Sequence, residues 1–332
     1  MSAVLVYVEG ADGGPDRLSA EALGVAGRLA ETIGAEVHAV LVPGAADLAA
    51  AEALAAGLGR FGVARAHLVQ SERLTDYAPA AWAAVVTDVV RGGDFAAVIA
   101  PGSERAIEIL AHVAARLEVS MAANVTAIEP GDRWRITRQR WAGSLLEEAW
   151  LDDQPHLMTI APHAVPVLEP AGSGSAAVAR VEPEISDVDL RARIVGQDRT
   201  AADRVSLADA KVVVGGGRGM GSAEAFALLD ELAGLLGAAV GVSRVATSLG
   251  WRPHAQQIGQ TGTRIAPELY IACGISGAIQ HIVGAKSAKR ILVINNDPDA
   301  PIFRRAKYAV IGDVHTVVPA ISNEIRRVRG AG

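Results

Sequence analysis

The chain has 332 residues, of which 50% are hydrophobic and 20% are charged, and its formal net charge is −6. This length exceeds one typical hydrophobic core, so the sequence predicts two domains with the balance of an ordinary soluble globular protein. The acidic charge and the aromatic content of 4% argue against nucleic acid or an anionic membrane as the main partner.

Cys273 is the single cysteine, so no internal disulfide can form, and no Cys/His spacing predicts a metal site. Its place inside an apolar run favours a small buried hydrophobe over a redox thiol. The first residues, MSAVLVYVEG, lack a basic segment, and no stretch reaches the roughly 18 apolar residues that a membrane span needs. We therefore expect a cytoplasmic protein without stable membrane insertion.

The N-terminal part of the chain alternates predicted strands and helices. The strands cover 4–8, 37–42, 66–69 and 96–100, and the helices cover 18–33, 45–58, 78–91 and 106–117. This alternation predicts a parallel sheet with helices on both faces. Shorter strands at 126–128, 134–140, 144–150 and 156–161 are expected to extend the same sheet and to include antiparallel members.

Prolines and glycines break every period over 166–200, so we predict a linker over about 166–205 with one irregular strand at 191–195. The domains then span 1–200 and 201–332. The second domain is predicted to contain strands at 210–214, 239–242, 270–273, 291–294 and 308–311, with helices at 222–236, 278–283 and 315–328. The expected class is α/β, with two three-layer α/β/α domains and a Rossmann-like parallel sheet in the second.

Small or polar residues follow the predicted strands of the second domain, among them Gly274, Asn295 and Asp313. Because the carboxyl ends of parallel strands meet at one sheet edge, a ligand site is expected there, and helix N-termini at that edge favour anions. GGGRGMG at 215–221 fits the dinucleotide pattern GxGxxG only loosely, so a tight turn and a nucleotide-binding loop both stay open. Ser243-Arg244 stands where NAD-binding proteins carry an acidic residue, and an arginine there is typical of NADP binding.

Six segments of the second domain match the sequence motifs of one family: GGGRGMG (215–221), VSR (242–244), IGQTG (258–262), PELYIA (267–272), SGAIQH (276–281) and DPDAPIF (297–303). Over about 205–325 the chain closely resembles the FAD-binding domain of the electron transfer flavoprotein alpha subunit, and over 1–170 the resemblance is weaker. Thr263, where the family commonly has lysine, and 245–248 depart from the family pattern. These departures concern the flavin potential and the docking surfaces but leave the expected cofactor unchanged.

The resemblance implies an electron carrier and not a substrate-transforming enzyme. Such a chain is the alpha subunit of a heterodimer that accepts electrons from flavin dehydrogenases on FAD and passes them to a quinone oxidoreductase or similar acceptor. It further implies that the N-terminal domain grips a beta subunit, and that the C-terminal domain swings on the linker near 196–205.

The resemblance also implies which residues contact FAD. They are Arg218, Ser243, Arg244, Ile258, Gly259, Gln260, Thr261, Ser276, Gly277, Ala278, Ile279, Gln280, His281, Asn295, Asp313 and Val314. The amides of 276–278 suit the pyrophosphate, because they open a helix. Asn295 and Asp313 suit the ribityl or ribose hydroxyls or the adenine.

Four side chains are expected at the flavin ring itself. Gln260 and Thr261 offer donors to its polar edge, with Thr261 near N5. Arg244 and His281 would favour the negative charge that reduction leaves near N1 and the C2 carbonyl, and arginine stays protonated at any physiological pH. His281 can donate a hydrogen bond whether neutral or protonated.

Two other classes remain open from the sequence. One is a nicotinamide-dependent oxidoreductase or transhydrogenase domain in which Arg244 reads a 2′-phosphate, and the other is a cofactor-free scaffold or regulatory protein that keeps the fold. Taken singly, Arg244 is a solvated surface residue, His281 a helix cap, and Asn295 and Asp313 turn formers. Flavin bound to the purified protein distinguishes the classes.

Overall fold

The computed structural model describes residues 2–11, 13–44, 47–171, 173–194, 206–208 and 210–330. The chain divides into two compact units, Met1–Asp198 and Arg199–Gly332. The hinge predicted near 196–205 lies outside the described residues. No helix of the described ranges is long and apolar enough to cross a membrane.

A nine-stranded sheet forms the centre of the first unit. Its strands are β1 (Ala3–Tyr7), β4 (Glu36–Leu41), β5 (Val63–Val69), β6 (Phe95–Ala100), β7 (Met121–Glu129), β8 (Trp134–Arg140), β9 (Leu145–Leu151), β10 (His156–Ile160) and β11 (Ala177–Val181). The spatial order is β11-β5-β4-β1-β6-β10-β7-β8-β9, and the pairs are parallel except β7–β8 and β8–β9. The short strands β2 (Gly10–Ala11) and β3 (Gly14–Pro15) form a separate antiparallel pair. In the nine-stranded sheet, β8 and β9 extend the parallel strands in antiparallel pairs, which confirms the expectation from the sequence.

Helices cover both faces of this sheet: α1 (Arg17–Ile33), α2 (Leu48–Gly57), α3 (Pro79–Arg91) and α4 (Glu104–Leu117). Successive side chains of β1 point to opposite faces, as the pleat requires. Val4 and Val6 join the core on the side of α1, whereas Leu5 and Tyr7 join the core on the side of α3 and α4. Burial on both faces explains why β1 is continuously apolar in sequence.

The stretch predicted as a linker packs on the first unit along its described part. β11 pairs in parallel with β5 at the sheet edge, and the Ala176 amide donates to the Ala56 carbonyl at 3.0 Å. The prediction of an irregular strand at 191–195 is wrong over 191–194, because these residues form no strand. The Ile194 amide instead donates to the Tyr77 carbonyl at 2.9 Å. Residue 195 lies outside the described residues.

The second unit contains a five-stranded sheet whose neighbouring strands are all parallel. Its strands are β12 (Val212–Gly216), β13 (Ala239–Val242), β14 (Leu269–Cys273), β15 (Ile291–Asn295) and β16 (Tyr308–Ile311), in the order β13-β12-β14-β15-β16. Its helices are α5 (Ala227–Leu236), α6 (Arg244–Ser248), α7 (Ile279–Ala285) and α8 (Val314–Gly330). The helix predicted at 222–236 begins later than expected, because a single 3-10 turn, Glu224–Phe226, precedes α5.

Two apolar cores separate the layers of this unit. Tyr270 and Ala272 of β14 pack in the core that includes α7, whereas Ile271 and Cys273 pack against α5 and α8. The α/β class with helical layers around a central parallel sheet follows. Because β13 and β14 flank β12 on opposite sides, the chain changes direction across the sheet at the end of β12.

Candidate functional site

A cavity of about 460 Å³ opens at the carboxyl ends of β12, β13, β14 and β15. Open parallel sheets hold ligands at the point where the strand order reverses, which is the position of this cavity. The sequence-predicted cofactor residues that line it are Arg218, Ser243, Arg244, Ile258, Gly259, Gln260, Thr261, Ser276, Ala278, Gln280, His281 and Asn295. The fold thus gathers side chains from distant segments into one crevice.

Four predicted residues do not line this cavity. Gly277 packs inward, where a Cβ would stand 2.5 Å from the Ile302 amide nitrogen. Ile279 is exposed, and Val314, the first residue of α8, is buried in the core. The Asp313 carboxylate accepts a hydrogen bond from the His315 amide at 3.0 Å and caps α8. The assignment of these four to the cofactor stays a prediction.

The glycine-rich loop after β12 packs against the end of β14. The Gly217 and Gly219 amides donate to the Cys273 and Gly274 carbonyls at 3.0 and 2.9 Å. A Cβ at Gly219 would stand 2.6 Å from the Gly274 Cα, so the two backbones touch. These two amides are used inside the protein, and the glycines serve close backbone packing at this edge.

The loop after β14 leaves backbone donors free. The amides of Ser276, Gly277 and Ala278 donate no hydrogen bond within the ranges that the structure describes. Gly277 has φ 83°, a left-handed conformation that favours glycine, and α7 begins directly after Ala278. Consecutive free N–H groups at a strand end form a concave donor set that suits an anion.

Positive charge at the cavity comes from two arginines. The guanidinium groups of Arg218 and Arg244 make no hydrogen bond or ion pair with any described residue, and both side chains are exposed. Asp297 is the acidic side chain in the lining. The balance of formal charge is therefore positive, which complements a ligand with negative charge.

His281 presents a neutral ring at the cavity wall. Its Nε2 atom shares a 2.8 Å hydrogen bond with the Tyr270 hydroxyl, and its Nδ1 atom is buried. Burial lowers the pKa of His281 to about 4, an effect that the Ile258 backbone partly opposes. A Cβ at Gly215 would stand 2.4 Å from the Tyr270 hydroxyl, so glycine at 215 makes room for this pair.

Comparison with known proteins gives two family matches in one chain. Residues 4–186 match the electron transfer flavoprotein domain, and residues 206–286 match the electron transfer flavoprotein FAD-binding domain. An electron transfer flavoprotein subunit alpha from Thermoanaerobacterium thermosaccharolyticum is 30% identical and covers 98% of both chains. The chain belongs to the electron transfer flavoprotein alpha-subunit family.

Other relatives agree with this membership. The subunit alpha of Paracoccus denitrificans is 40% identical over 70% of this chain and 74% of its own, and Protein FixB of Clostridium saccharobutylicum is 33% identical over 99% and 97%. A thiamine diphosphate-dependent 4-hydroxybenzoylformate decarboxylase from Rhodococcus jostii RHA1 aligns with a TM-score of 0.23 at 13% identity, covering 92% of this chain and 62% of its own.

FAD is the cofactor of this electron transfer flavoprotein subunit, and its role is electron transfer, not conversion of a substrate. The residues present fit such a group. Amides at 276–278 and two arginines, all without a partner among the described residues, complement a pyrophosphate, and Val245, Leu249 and Ile258 supply an apolar wall for a flat ring. No group of side chains in the described ranges is arranged to hold a metal ion.

Asn295 and Cys273, both near the cavity, have structural roles: one forms hydrogen bonds within the protein and the other is buried. The Asn295 side chain donates to the Ile275 carbonyl at 2.9 Å and accepts from the Asp297 amide at 3.1 Å, which ties the end of β15 to the loop after β14. Cys273 is fully buried, and burial raises the pKa of its thiol to about 12. The expectation of a buried Cys273 is confirmed.

Gln257 belongs to the site and was missed in the sequence. It lines the cavity with 2% of its surface exposed, and its side-chain amide donates to the Thr261 hydroxyl at 3.0 Å. The residue directly precedes the IGQTG segment, and this adjacency is the only signal that the sequence offers. A glutamine before a glycine-containing loop is otherwise typical of an exposed position.

Proposed function

We propose that this chain works in the cytoplasm as the alpha subunit of a heterodimeric electron transfer flavoprotein. It would accept electrons on FAD from flavin dehydrogenases and pass them to a quinone oxidoreductase or similar acceptor. The observation that carries the proposal is the combination of amides and arginines at the carboxyl edge of the second sheet that have no partner in the described part of the chain. The titratable groups in the lining are Arg218, Arg244, Asp297 and the neutral His281, which suits binding and electron transfer more than acid–base chemistry.

Bound FAD supplies a ring that takes up and releases electrons. The amides of 276–278 and Arg218 would hold the pyrophosphate, while Arg244 would offer a fixed positive charge to the ring. Thr261 and Gln260, at the tip of the loop after Gln257, provide donors at the polar edge. His281 and Ile258, which line the cavity, would contact the ring. We extend the cofactor assignment to Ile279, Asp313 and Val314 by family resemblance alone, whereas Gly277 is included through its backbone amide.

The two domains would have different roles. The second, about 201–332, carries the cofactor, and the first, about 1–200, grips a beta subunit that covers part of the flavin. An exposed apolar arm of the first unit supports this role. Trp141, Leu145, Leu146 and Trp150 of the β8–β9 hairpin are 79%, 56%, 70% and 54% exposed. Exposed apolar side chains on one hairpin are typical of a surface that another protein covers.

Co-expression with the beta subunit, followed by absorption spectroscopy of the purified complex, tests the proposal. We expect bound flavin, bleaching of its visible bands when a flavin dehydrogenase and its substrate are added, and recovery when a quinone oxidoreductase follows. A colourless complex that binds NADPH tightly would instead support the nicotinamide alternative that Arg244 leaves open. A complex that binds neither cofactor would support the scaffold alternative.

A further inference from the structure

The side-chain amide of Gln257 lies between two threonine hydroxyls. Its Nε2 atom donates to Thr261 Oγ1 at 3.0 Å, and its Oε1 atom accepts from Thr247 Oγ1 at 2.7 Å. O–H···O bonds are typically shorter than N–H···O bonds, and the two distances agree with this orientation of the amide. Gln257 is 2% exposed, so both bonds form away from solvent.

This contact decides what the Thr261 hydroxyl can do. A hydroxyl has one proton and two acceptor lone pairs, and Gln257 occupies a lone pair while leaving the proton free. Thr261 lines the cavity and donates no hydrogen bond to any described residue. We infer that Gln257 is a positioning residue that presents the Thr261 O–H as a hydrogen-bond donor to bound FAD, an inference that rests on the proposed function.

The surrounding backbone is held independently of the Gln257 side chain. The Thr263 amide donates to the Gln257 carbonyl at 2.7 Å, and the Ile258 amide donates to the Val242 carbonyl at 2.8 Å. The Gly262 amide closes the loop on the Gly259 carbonyl at 3.2 Å. Replacing the side chain therefore changes the orientation of a hydroxyl in a loop whose backbone bonds remain.

Thr247 links this pair to the helix of Arg244. Its hydroxyl lies 2.7 Å from Gln257 Oε1 and 2.9 Å from the Arg244 carbonyl oxygen. In the opposite amide orientation, Thr261 would donate to Oε1, Nε2 would donate to Thr247, and Thr247 would donate to Arg244. Thr261 would then have no proton for the cavity, so the direction of the amide is what an experiment must determine.

Gln257→Glu separates the two orientations. A carboxylate accepts hydrogen bonds and draws the Thr261 proton away from the cavity, whereas in the opposite orientation Thr261 already donates its proton to residue 257. Gln257→Met removes donor and acceptor without adding charge. FAD is titrated into the FAD-free heterodimer of each variant, and the visible absorption bands of the bound flavin are recorded. We expect the FAD dissociation constant to rise about three- to tenfold in both variants, the size of one lost or misdirected hydrogen bond.

Thr261 variants make the test decisive through a double-mutant cycle. In a Thr261→Ser background, which keeps the hydroxyl, the Gln257 variants should weaken FAD binding as they do in the parent and shift the flavin bands. In a Thr261→Val background they should change the dissociation constant less than twofold and leave the bands in place. Equal weakening in the Val background, or no weakening in the parent, overturns the inference. Absence of FAD binding in the unmutated heterodimer would instead overturn the proposed function.

Discussion

Arg244 begins α6 at the end of β13, and its guanidinium group is exposed and unpaired among the described residues. In the proposed complex it stands beside the flavin, where a charge at about 4 Å in a partly dry site is worth on the order of 1 to 4 kcal/mol. Arg244→Gln should therefore keep FAD bound but favour the reduced, negatively charged ring less. Each 1.4 kcal/mol lowers a one-electron potential by about 60 mV.

Reductive titration of the heterodimer measures this change. Arg304→Gln, which removes an exposed arginine outside the cavity of the same unit, is the matched control and should leave the potential unchanged. Equal potentials in the Arg244 variant and the unmutated protein would contradict the role of Arg244.

His281 makes the stability of the chain depend on pH in a defined direction. Its pKa is about 4 in the folded chain, whereas an unfolded imidazole titrates near 6.5. Between these values the unfolded chain binds a proton that the folded chain does not, so His281 lowers the free energy of unfolding as the pH falls. The ring is neutral at physiological pH and contributes no charge to the cavity.

His281→Asn should reduce the stability lost between pH 7 and pH 5 by about 1 to 2 kcal/mol relative to the unmutated chain. Chemical denaturation of the full chain at the two pH values measures it. His254→Asn, which changes an exposed histidine of the same unit, should leave the pH dependence as it was. If His281→Asn also leaves it unchanged, the folded ring already carries its proton above pH 5.

Sequence reasoning found the residue types at the site but not their hydrogen bonds. Arg244 and Thr261 could be selected because they stand inside segments that match a family. The bond between Tyr270 and His281 joins residues on β14 and α7, and no local pattern encodes it. Gln257 was missed for the same reason, since its importance depends on burial and on two hydroxyls that the fold brings to it.

The glycine-rich loop after β12 acts as an element that packs on the end of β14. The sequence left a tight turn and a nucleotide-binding loop open there, and the amides of Gly217 and Gly219 turn out to be bonded to β14 carbonyls. Gly219→Ala would force a Cβ to within 2.6 Å of the Gly274 Cα, a backbone atom that cannot rotate away. We expect it to lower the free energy of unfolding by about 1 to 3 kcal/mol and to weaken FAD binding.

Thermal unfolding and FAD titration of the variant check this expectation. The control is Gly234→Ala inside α5, where a Cβ meets nothing within 4 Å, and it should stabilise the chain by about 0.5 to 1 kcal/mol. A Gly219→Ala protein as stable as its parent would show that the loop can move away from β14.

Periodicity predicted the regular elements and failed where an element depends on a distant partner. The alternating strands and helices of both units follow from apolar runs of the right length and from glycines such as Gly34 that end helices in a left-handed conformation. β11 escaped prediction because it is an edge strand with mostly exposed side chains, and β5 is more than 100 residues earlier in the chain. Its sequence, AVARV, lies in a stretch rich in proline and glycine that indicates a linker.

At the scale of the whole molecule, the β8–β9 hairpin of the first unit is anchored in the core by Trp134, Ile136 and Leu151 and exposes apolar side chains near its turn. Leu145 and Leu146 are neighbours on a strand, so their side chains point to opposite faces, and both are exposed. Arg138 and Arg140 pair with Glu147 at 2.9 and 3.1 Å, so these three charges are satisfied within the hairpin. Near the turn, Leu145 and Leu146 leave apolar area exposed on both faces of the hairpin, as expected of a segment that a partner covers.

Leu146→Glu should therefore weaken assembly with the beta subunit, because the proposed interface would have to bury an unpaired carboxylate at this position. We expect the dissociation constant of the heterodimer to rise at least about tenfold, which corresponds to about 1.4 kcal/mol. Size-exclusion chromatography of dilution series measures it. Val188→Glu is the control, since Val188 is 61% exposed on the same unit but lies outside the hairpin. Unchanged affinity in the Leu146 variant would mean that the subunit interface lies elsewhere on the first domain.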